Sequence, residues 1–416
     1  MSEQRKTVAI IGAGIAGLTA ALSLSLAANQ AEQSLDIEIF EKAEVANEEG
    51  AGLQLSPNAT HILQKLGLLD ELLACAGQPQ NIIMADGRTG QQIADIPLGD
   101  YAQARYGAPY IVVHRGDLHR ILLAKATQQT NINIYFGHEL ANLVQQDAKY
   151  KCEFNYLGKA INKQADLYIA ADGVWSQCKS QLGLDARNLA VYSGHMAWRG
   201  LVDDTQLVEK FQNSTHVWLG NKAHVVLYPI SGGKQLNLVA FTEGVFKQKS
   251  WALDADISEL KTHLTGWNED IEALLDAAGQ MKIWPLCAGA PEYQTAHDNI
   301  LFIGDAAHPT LPYQAQGAAM AVEDAACLAN LLYAGAEDWH HWADEILPLK
   351  LRVYEASRHD RVTKTQQTAL QNARIFHLSA PISWARDLYL KFLSRFARKS
   401  LLSRLDWLYS KRYDNF

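Results

Sequence analysis

Gly12, Gly14 and Gly17 stand at G-x-G-x-x-G spacing, directly between an apolar run, Thr7 to Ile11, and a helix-like stretch, Ile15 to Ala28. Residues of this type in this place suit one task, the holding of a pyrophosphate. The first glycine permits a tight turn, the second lets backbone approach the phosphates, and the third lets helix and strand pack closely. The first helical turn, with Ile15 and Ala16, then offers free N–H groups and the positive end of a dipole. Glu41 closes the next predicted strand, Asp36 to Phe40, and is followed by Lys42. A carboxylate there can accept both hydroxyls of an adenosine ribose and would repel a 2′-phosphate. Two distant segments add polar contacts: Asp172-Gly173 after the run Leu167 to Ala170, and Gly304-Asp305 after the predicted strand Asn299 to Ile303. Three such contacts suit an extended cofactor such as FAD, whose ribityl hydroxyls need partners, better than NAD.

Positioning these groups takes more than one small core, and 416 residues suggest roughly two packed units. The run Thr7 to Ile11 has the pattern of a buried parallel strand, and with the helix and Asp36 to Phe40 it makes one βαβ unit. Helical spacing recurs over Ala59 to Cys75 and Asp117 to Gln128, with a strand over Ala108 to Val113. Around Val191 the texture changes. Val217–Leu219, Val225–Pro229 and Leu236–Phe241 are β-branched and aromatic, separated by turn signals such as Ser231-Gly232-Gly233. The region Val191 to Leu286 reads as an antiparallel sheet inserted into the nucleotide unit, with one helix, Ile257 to Trp267. Gly317 to Leu332 reads as a helix, and the remainder as wholly helical. The expected fold class is therefore α/β: a Rossmann-type FAD-binding domain, an inserted antiparallel-sheet substrate domain and a helical C-terminus. The corresponding division is 1–190, with some substrate-domain segments near 80–110, then 191–286, 287–335 and 336–416.

Composition excludes other classes. With 48% hydrophobic and 20% charged residues the chain is globular, and a net charge of −8 argues against nucleic-acid binding. The five cysteines (75, 152, 178, 287, 327) contain no C-x-x-C pair, so neither a zinc site nor a disulfide framework is signalled. A reduced cytoplasmic setting is expected. Arg5 and Lys6 before Val8 to Ala28 resemble a secretion signal, but the three glycines cut that stretch. No run reaches the ~18 apolar residues of a membrane span. From Ser383 onward eight Lys/Arg face three Asp, a net +5 that leaves −13 for the rest. Leu388, Phe392 and Phe396 repeat among these charges at helical spacing. A terminal helix docked on the acidic body or on a partner subunit is expected, a membrane-surface helix being the alternative.

With these segments in place, the chain resembles the group A flavoprotein aromatic hydroxylases, especially the salicylate and 3-hydroxybenzoate hydroxylase branch. The likeness runs nearly end to end: Gly50 to Ala59 (GAGLQLSPNA), His114-Arg115 with Asp117-Leu118, Asp172-Gly173, Ala197-Trp198-Arg199-Gly200, and Gly304 to Ala325. The resemblance implies that Glu41 binds the adenosine ribose, and that Gly52 and Leu53 lie along the cofactor. It implies Arg115 near the pyrophosphate or ribityl chain, Leu140 touching the adenine by its backbone, and Asp305 on the ribityl hydroxyls. Asp172 is linked to both FAD and NAD(P)H. The chain departs from the pattern at Lys179, where the family has Arg seven residues after that Asp. Lys keeps the charge and loses the planar fork. No second G-x-G-x-x-G follows a strand, so NAD(P)H would bind transiently.

The implied reaction is hydroxylation of a small phenolic, carboxylated aromatic by a flavin hydroperoxide, using NAD(P)H and O2, in a monomer or homodimer. It needs a stabilised reduced flavin, exclusion of water and deprotonation of the substrate hydroxyl. Gln316-Gly317-Ala318 opens a helix whose N–H groups can face the flavin N1–C2=O edge. His224, Val226 and Tyr228 share one strand face. In the resembling hydroxylases this strand faces the substrate, with a His and Tyr at that spacing and a Gln near the flavin. The resemblance therefore implies His224, whose ring pKa is ordinarily near ~6.5, as base or proton relay, with Tyr228 and Gln316 orienting substrate oxygens. His195 and His216 are weaker candidates; Arg199 could pair with a substrate carboxylate but is expected to brace the sheet against the flavin domain, and His308 to fix its loop. Competing readings keep the chemistry on a lipophilic quinone precursor, an N-heteroaromatic or a polyketide, or make the chain a flavin dehydrogenase or reductase. A flavin-sensing binding protein is the least favoured.

Overall fold

The computed structural model describes residues 5–46, 52–146, 149–184, 190–245, 253–293, 299–333 and 346–413. The first two residues of the 50–59 segment and the expected boundary at 335/336 lie outside them. Lys6–Ile11 is the centre of a five-stranded parallel sheet. Leu35–Glu41 and then Ile132–Phe136 lie on one side, Leu167–Ala170 and then Ile300–Phe302 on the other. All of Leu167–Ala170 and Val8–Ile11 are buried, as strands covered on both faces must be. The chain runs from the central strand to one side and returns on the other. The crevice at the carboxyl ends of Lys6–Ile11 and Leu167–Ala170 is therefore a topological switch point, the usual ligand position in such sheets. Helices Ile15–Gln30 and Gly317–Tyr333 pack against each other beside it.

The second sheet has eight strands, in the order Leu253–Asp254, Lys282–Ala288, Val191–Val202, Gln235–Glu243, Ala223–Ile230, Ser214–Leu219, Asn81–Asp86 and Gln92–Pro97. It is not wholly antiparallel as expected, because Ser214–Leu219 pairs parallel with Asn81–Asp86. Alternation sorts its residues cleanly. Met196, Trp198, Val225, Leu227, Leu238 and Ala240 face helices Ile257–His263 and Glu269–Ala277 in a separate core. Ala197, Val226, Tyr228, Val239 and Phe241 face the nucleotide layer and join the main core.

Three elements differ from expectation for local reasons. The helical stretch 59–75 is two helices, Pro57–Lys65 and Leu69–Cys75, because Gly67 takes φ +70° between them. The helix expected to reach Trp267 ends at His263, before Gly266 at φ +75°. A three-stranded sheet, Glu139–Gln146, Lys149–Tyr156 and Lys159–Lys163, has no counterpart in the expectations. Its available signal is the buried alternation of Tyr150, Cys152 and Phe154.

The C-terminal region is helical: Leu347–Phe376, Ile382–Phe396, Arg398–Ser403 and Asp406–Tyr409. Its long helix carries Arg358 into the core, where the side chain is fully buried. Arg358 donates to Asp324 (2.7 Å), Glu323 (2.7 Å), the Tyr413 hydroxyl (2.8 Å) and the Met320 carbonyl (3.2 Å). Arg361 grips both oxygens of Glu323 at 2.6 Å. Burial alone would raise both carboxyls, but Arg361 and Arg358 hold Glu323, and His308 and Arg358 hold Asp324, below the ordinary range. Two cations balance two anions, and every Arg358 nitrogen is used. Arg358→Leu strands the carboxylates and is expected to cost about 3–5 kcal/mol, read as a lower denaturant midpoint.

Candidate active site

The Gly-rich turn is built as its sequence requires. Gly12 adopts φ +106°, and a Cβ there would meet the Ala171 carbonyl oxygen at 2.5 Å. A Cβ on Gly17 would lie 2.0 Å from the Gly12 oxygen. Gly14 caps the helix without a side chain, leaving the N–H groups of its first turn, at Ile15, Ala16 and Gly17, facing the crevice mouth. Glu41 accepts from the Ala13 N–H and the Ala43 N–H, both at 2.9 Å, so its carboxylate borders the turn while Lys42 points to solvent. Because Gly12 abuts Ala171, Asp172 lies at the same crevice. One Asp172 oxygen accepts from the Cys178 N–H (3.0 Å), and the other is buried with no partner. Leu140 is buried at the head of its strand, where the register shifts before Asn142.

Helix Arg115–Thr127 is tied to the turn by a residue that sequence reasoning missed, His119, whose Nε2 lies 2.7 Å from the Ala13 carbonyl. This sets Arg115, the helix's first residue, beside the cleft. Asp305 sits on the turn Gly304–Ala306 with its side chain open to that cleft, although the protein packed around it pushes its carboxyl pKa up. His308 and Arg115 partly offset that rise. Gly304 makes the approach possible, since its Cβ position is 2.9 Å from Ala16. His308 is fully buried against Asp324 at 2.5 Å, which also accepts the Gly304 N–H, so it does fix the loop.

Gly52 and Leu53 open a short strand, Gly52–Leu55, and Gly52 is clamped from the second sheet. Its N–H donates to Asn237 (2.8 Å), and its carbonyl accepts from the Tyr228 hydroxyl (2.6 Å). Tyr228 is thus placed differently from the expectation, holding backbone rather than facing substrate oxygens. Gln316 differs likewise. It is buried, with its amide nitrogen on Ser56 (2.8 Å) and its oxygen accepting from Asn58 (3.2 Å), which also donates to Glu323. The Gln316 side chain therefore ties the helix start to the Arg358 network. Gly317 and Ala318, the first helical residues, are partly open, and nothing lies within 4 Å of a Cβ on Gly317.

His224 is 1% exposed and stacks on Phe241 (centroids 4.4 Å apart). Its Nδ1 is 2.8 Å from Nε2 of His377, the residue that ends the long C-terminal helix. The His377 ring lies 5.9 Å from that of His195. Tyr313 packs against all three imidazoles, its hydroxyl buried without a partner. The array ends at an open recess of about 590 Å3 lined by His195, Glu243, Lys222 and His263. One row nearer Gly52 on the same sheet face stands Arg199, paired in register with Val239. Its guanidinium lies over Trp284, its Nε is buried without a partner, and burial pulls its pKa down. His377, Tyr313 and Asn237 carry no local sequence signal of their own.

Burial, reinforced by His377 and His195, holds His224 well below its ordinary pKa. Burial and His195 lower His377 to about 4, against a weak opposite pull from Glu243. His216 falls to about 4, again mainly by burial. Such histidines are neutral when folded and take up protons on unfolding once pH drops below about 6.5. Stability should be full above that value and fall as pH decreases toward about 4. Melting temperatures measured across that window check the sign.

The cleft suits FAD on its own features: an orphaned Asp172 oxygen, an Asp305 carboxylate open at depth, backbone approaches at Gly12 and Gly52, and open space before Gly317. Among the described residues no cluster could hold a metal ion, and no helix is long and apolar enough to cross a membrane. Residues 5–369 match the FAD binding domain family. The 3-hydroxybenzoate 6-hydroxylase of Polaromonas naphthalenivorans is 31% identical over 89% of this chain and 88% of its own. The 6-hydroxynicotinate 3-monooxygenase of Bordetella bronchiseptica is 31% identical over 88% and 91%. A salicylate hydroxylase solved with its substrate superposes with a TM-score of 0.79 and 25% identity, covering 99% of this chain and 97% of that one. The chain belongs to the FAD-dependent aromatic monooxygenases of group A, in the branch of the salicylate and 3-hydroxybenzoate hydroxylases.

Proposed function

We propose that this monooxygenase hydroxylates a small phenol that carries a carboxylate, and that His224 removes the phenolic proton. The observation that carries the reading is Arg199, half-buried on the same sheet face as His224, with its Nε buried and unpartnered and no acid paired with it among the described residues. A partly desolvated cation without a counter-charge gains from a bound anion, so a carboxylate there is favoured. The similar proteins support the same substrate class, since 3-hydroxybenzoate and 6-hydroxynicotinate each join a carboxylate to a ring hydroxyl.

FAD, when bound, takes hydride from NAD(P)H and activates O2; the protein's own groups do the rest. Gly12 to Gly17 would receive the pyrophosphate, Glu41 the ribose and Asp305 the ribityl hydroxyls. Tyr228 and Asn237 position Gly52 and Leu53, and Gln316 positions the N–H groups of Gly317 and Ala318. Lys179, buried and donating to the Ala307 carbonyl at 3.3 Å, braces the loop after Asp305. A depressed pKa makes His224 a poor proton store but a sound relay. Its Nε2 can take the phenolic proton as its Nδ1 proton passes to Nε2 of His377, which gives up its own Nδ1 proton toward His195 and the solvent of the recess, so no buried imidazolium need persist. Tyr313, rather than Tyr228, has the free buried hydroxyl to orient the ring.

Oxidation of NADH and NADPH would be followed with hydroxylated aromatic acids and their decarboxylated counterparts under isotopically labelled O2. The reading expects label in the product and stimulation by the acids only. Equal turnover of the uncharged phenols would overturn the carboxylate, and unlabelled product would overturn the oxygen insertion.

A further inference from the structure

Helix Ile382–Phe396 is amphipathic with its apolar side turned outward. Trp384, Leu388, Phe392 and Phe396, four residues apart, are 68, 72, 57 and 69% exposed, with Ile382 and Tyr389 beside them. The helix does dock on the body, but by its other face. Leu390 and Leu393 pack on the core, Ser394 accepts the Asp95 N–H at 3.0 Å, and Arg386 donates to the carbonyls of Ile375 and Phe376. The stripe expected to seat the helix is therefore the part left bare.

The charges around the stripe have one sign. Lys391, Arg395, Arg398 and Lys399 are exposed, whereas the helix's acid, Asp387, is half-covered and paired with Arg386. Of these cations Arg398 is paired, with Asp95; Arg395 and Lys399 lie over the rings of Phe396 and Tyr101. Aromatic and aliphatic side chains on one face, bordered by Lys and Arg with no exposed carboxylate, is the composition of a helix lying in a lipid interface. A second copy is disfavoured: an isologous contact would bring the same cations together from both sides. A bilayer needs no matching shape, and its anionic headgroups complement the +5 tail while repelling the −13 remainder, which fixes the orientation.

We propose that Ile382–Phe396 docks the enzyme peripherally on anionic phospholipid membrane, with Trp384, Leu388, Phe392 and Phe396 among the acyl chains and Lys391, Arg395 and Lys399 at the headgroups. The inference does not depend on the substrate reading.

The FAD-loaded full chain would be floated with phosphatidylcholine vesicles, with and without phosphatidylglycerol. Binding is expected to the anionic vesicles and to weaken with salt. It should fall at least about tenfold in Leu388→Ser/Phe392→Ser and in Lys391→Glu/Arg395→Glu, each with unchanged flavin content and melting temperature. Wild-type protein that stays unbound with phosphatidylglycerol present would overturn the proposal. So would a concentration-dependent dimer that Leu388→Ser/Phe392→Ser dissociates, because a second copy would then cover the face.

Discussion

His224→Ala is expected to keep its FAD and to lose about 10²-fold or more of substrate hydroxylation, the usual contribution of a positioned acid–base group. FAD is retained because His224 stands two rows along the sheet from the Tyr228–Gly52 clamp, and its hydrogen-bond partner among the described residues is His377 rather than a cofactor-cleft residue. The loss follows because the 2.8 Å contact to His377 is its polar outlet. Removing the ring also leaves a gap beside Phe241, so the alanine variant alone could fail through packing. His377→Gln separates the causes. It keeps a partner for His224 Nδ1 but cannot pass a proton onward, so its rate should recover with rising pH as the phenol ionises unaided. The measurement is hydroxylated product per NAD(P)H consumed, with peroxide assayed in parallel, across a pH series. An unchanged product yield in His224→Ala would remove it from the mechanism. A His377→Gln profile parallel to wild type would confine the relay to His224.

How far the site was legible depends on where each residue sits relative to its own strand. Gly12, Glu41, Asp172 and Asp305 each end or follow a buried parallel strand, and a parallel sheet brings all such ends to one edge. Four local readings therefore converged on one crevice without knowledge of the pairing. The second sheet was harder. Alternation says that His224 and Tyr228 share a face, but four residues span roughly 13 Å along a strand. One ring accordingly reaches His377 while the other reaches Gly52, and the shared face did not mean a shared task. Gln316 was misread for a related reason: its neighbours Gly317 and Ala318 open the helix, but its own side chain turns inward to Asn58 and Ser56, more than 250 residues away. His377 lies 153 residues from His224 at the end of a mostly polar helix, where no pattern marks it. The bare stripe of Ile382–Phe396 shows the complementary limit. Periodicity locates an apolar face, but tertiary docking decides which side is covered.

Asp305→Ala is expected to be purified colourless, or with substoichiometric flavin, and to fold. The turn that carries Asp305 is anchored by its neighbours rather than by its own side chain. The Gly304 N–H donates to Asp324 at 2.8 Å, His308 holds the same carboxylate, and Arg358 fixes it from the long helix. Deleting the Asp305 carboxylate thus leaves the backbone path intact and removes a charge that the protein packed around it disfavours, since its pKa is raised. In the proposed role the variant loses charge-assisted hydrogen bonding to the ribityl hydroxyls, about 1.5–3 kcal/mol per bond, so FAD affinity should fall by roughly 10-fold to 10²-fold. Asp305→Asn keeps an acceptor oxygen without the charge and should fall between. Flavin absorbance relative to protein, fluorescence titration of the apoprotein with FAD, and the apoprotein melting temperature report the three quantities separately. Weak binding with an unchanged apoprotein melting point is the signature of a lost ligand contact. A yellow, fully loaded Asp305→Ala protein would show that Arg115, the other charged side chain at the cleft whose field reaches Asp305, and the Gly12 turn hold the cofactor without it.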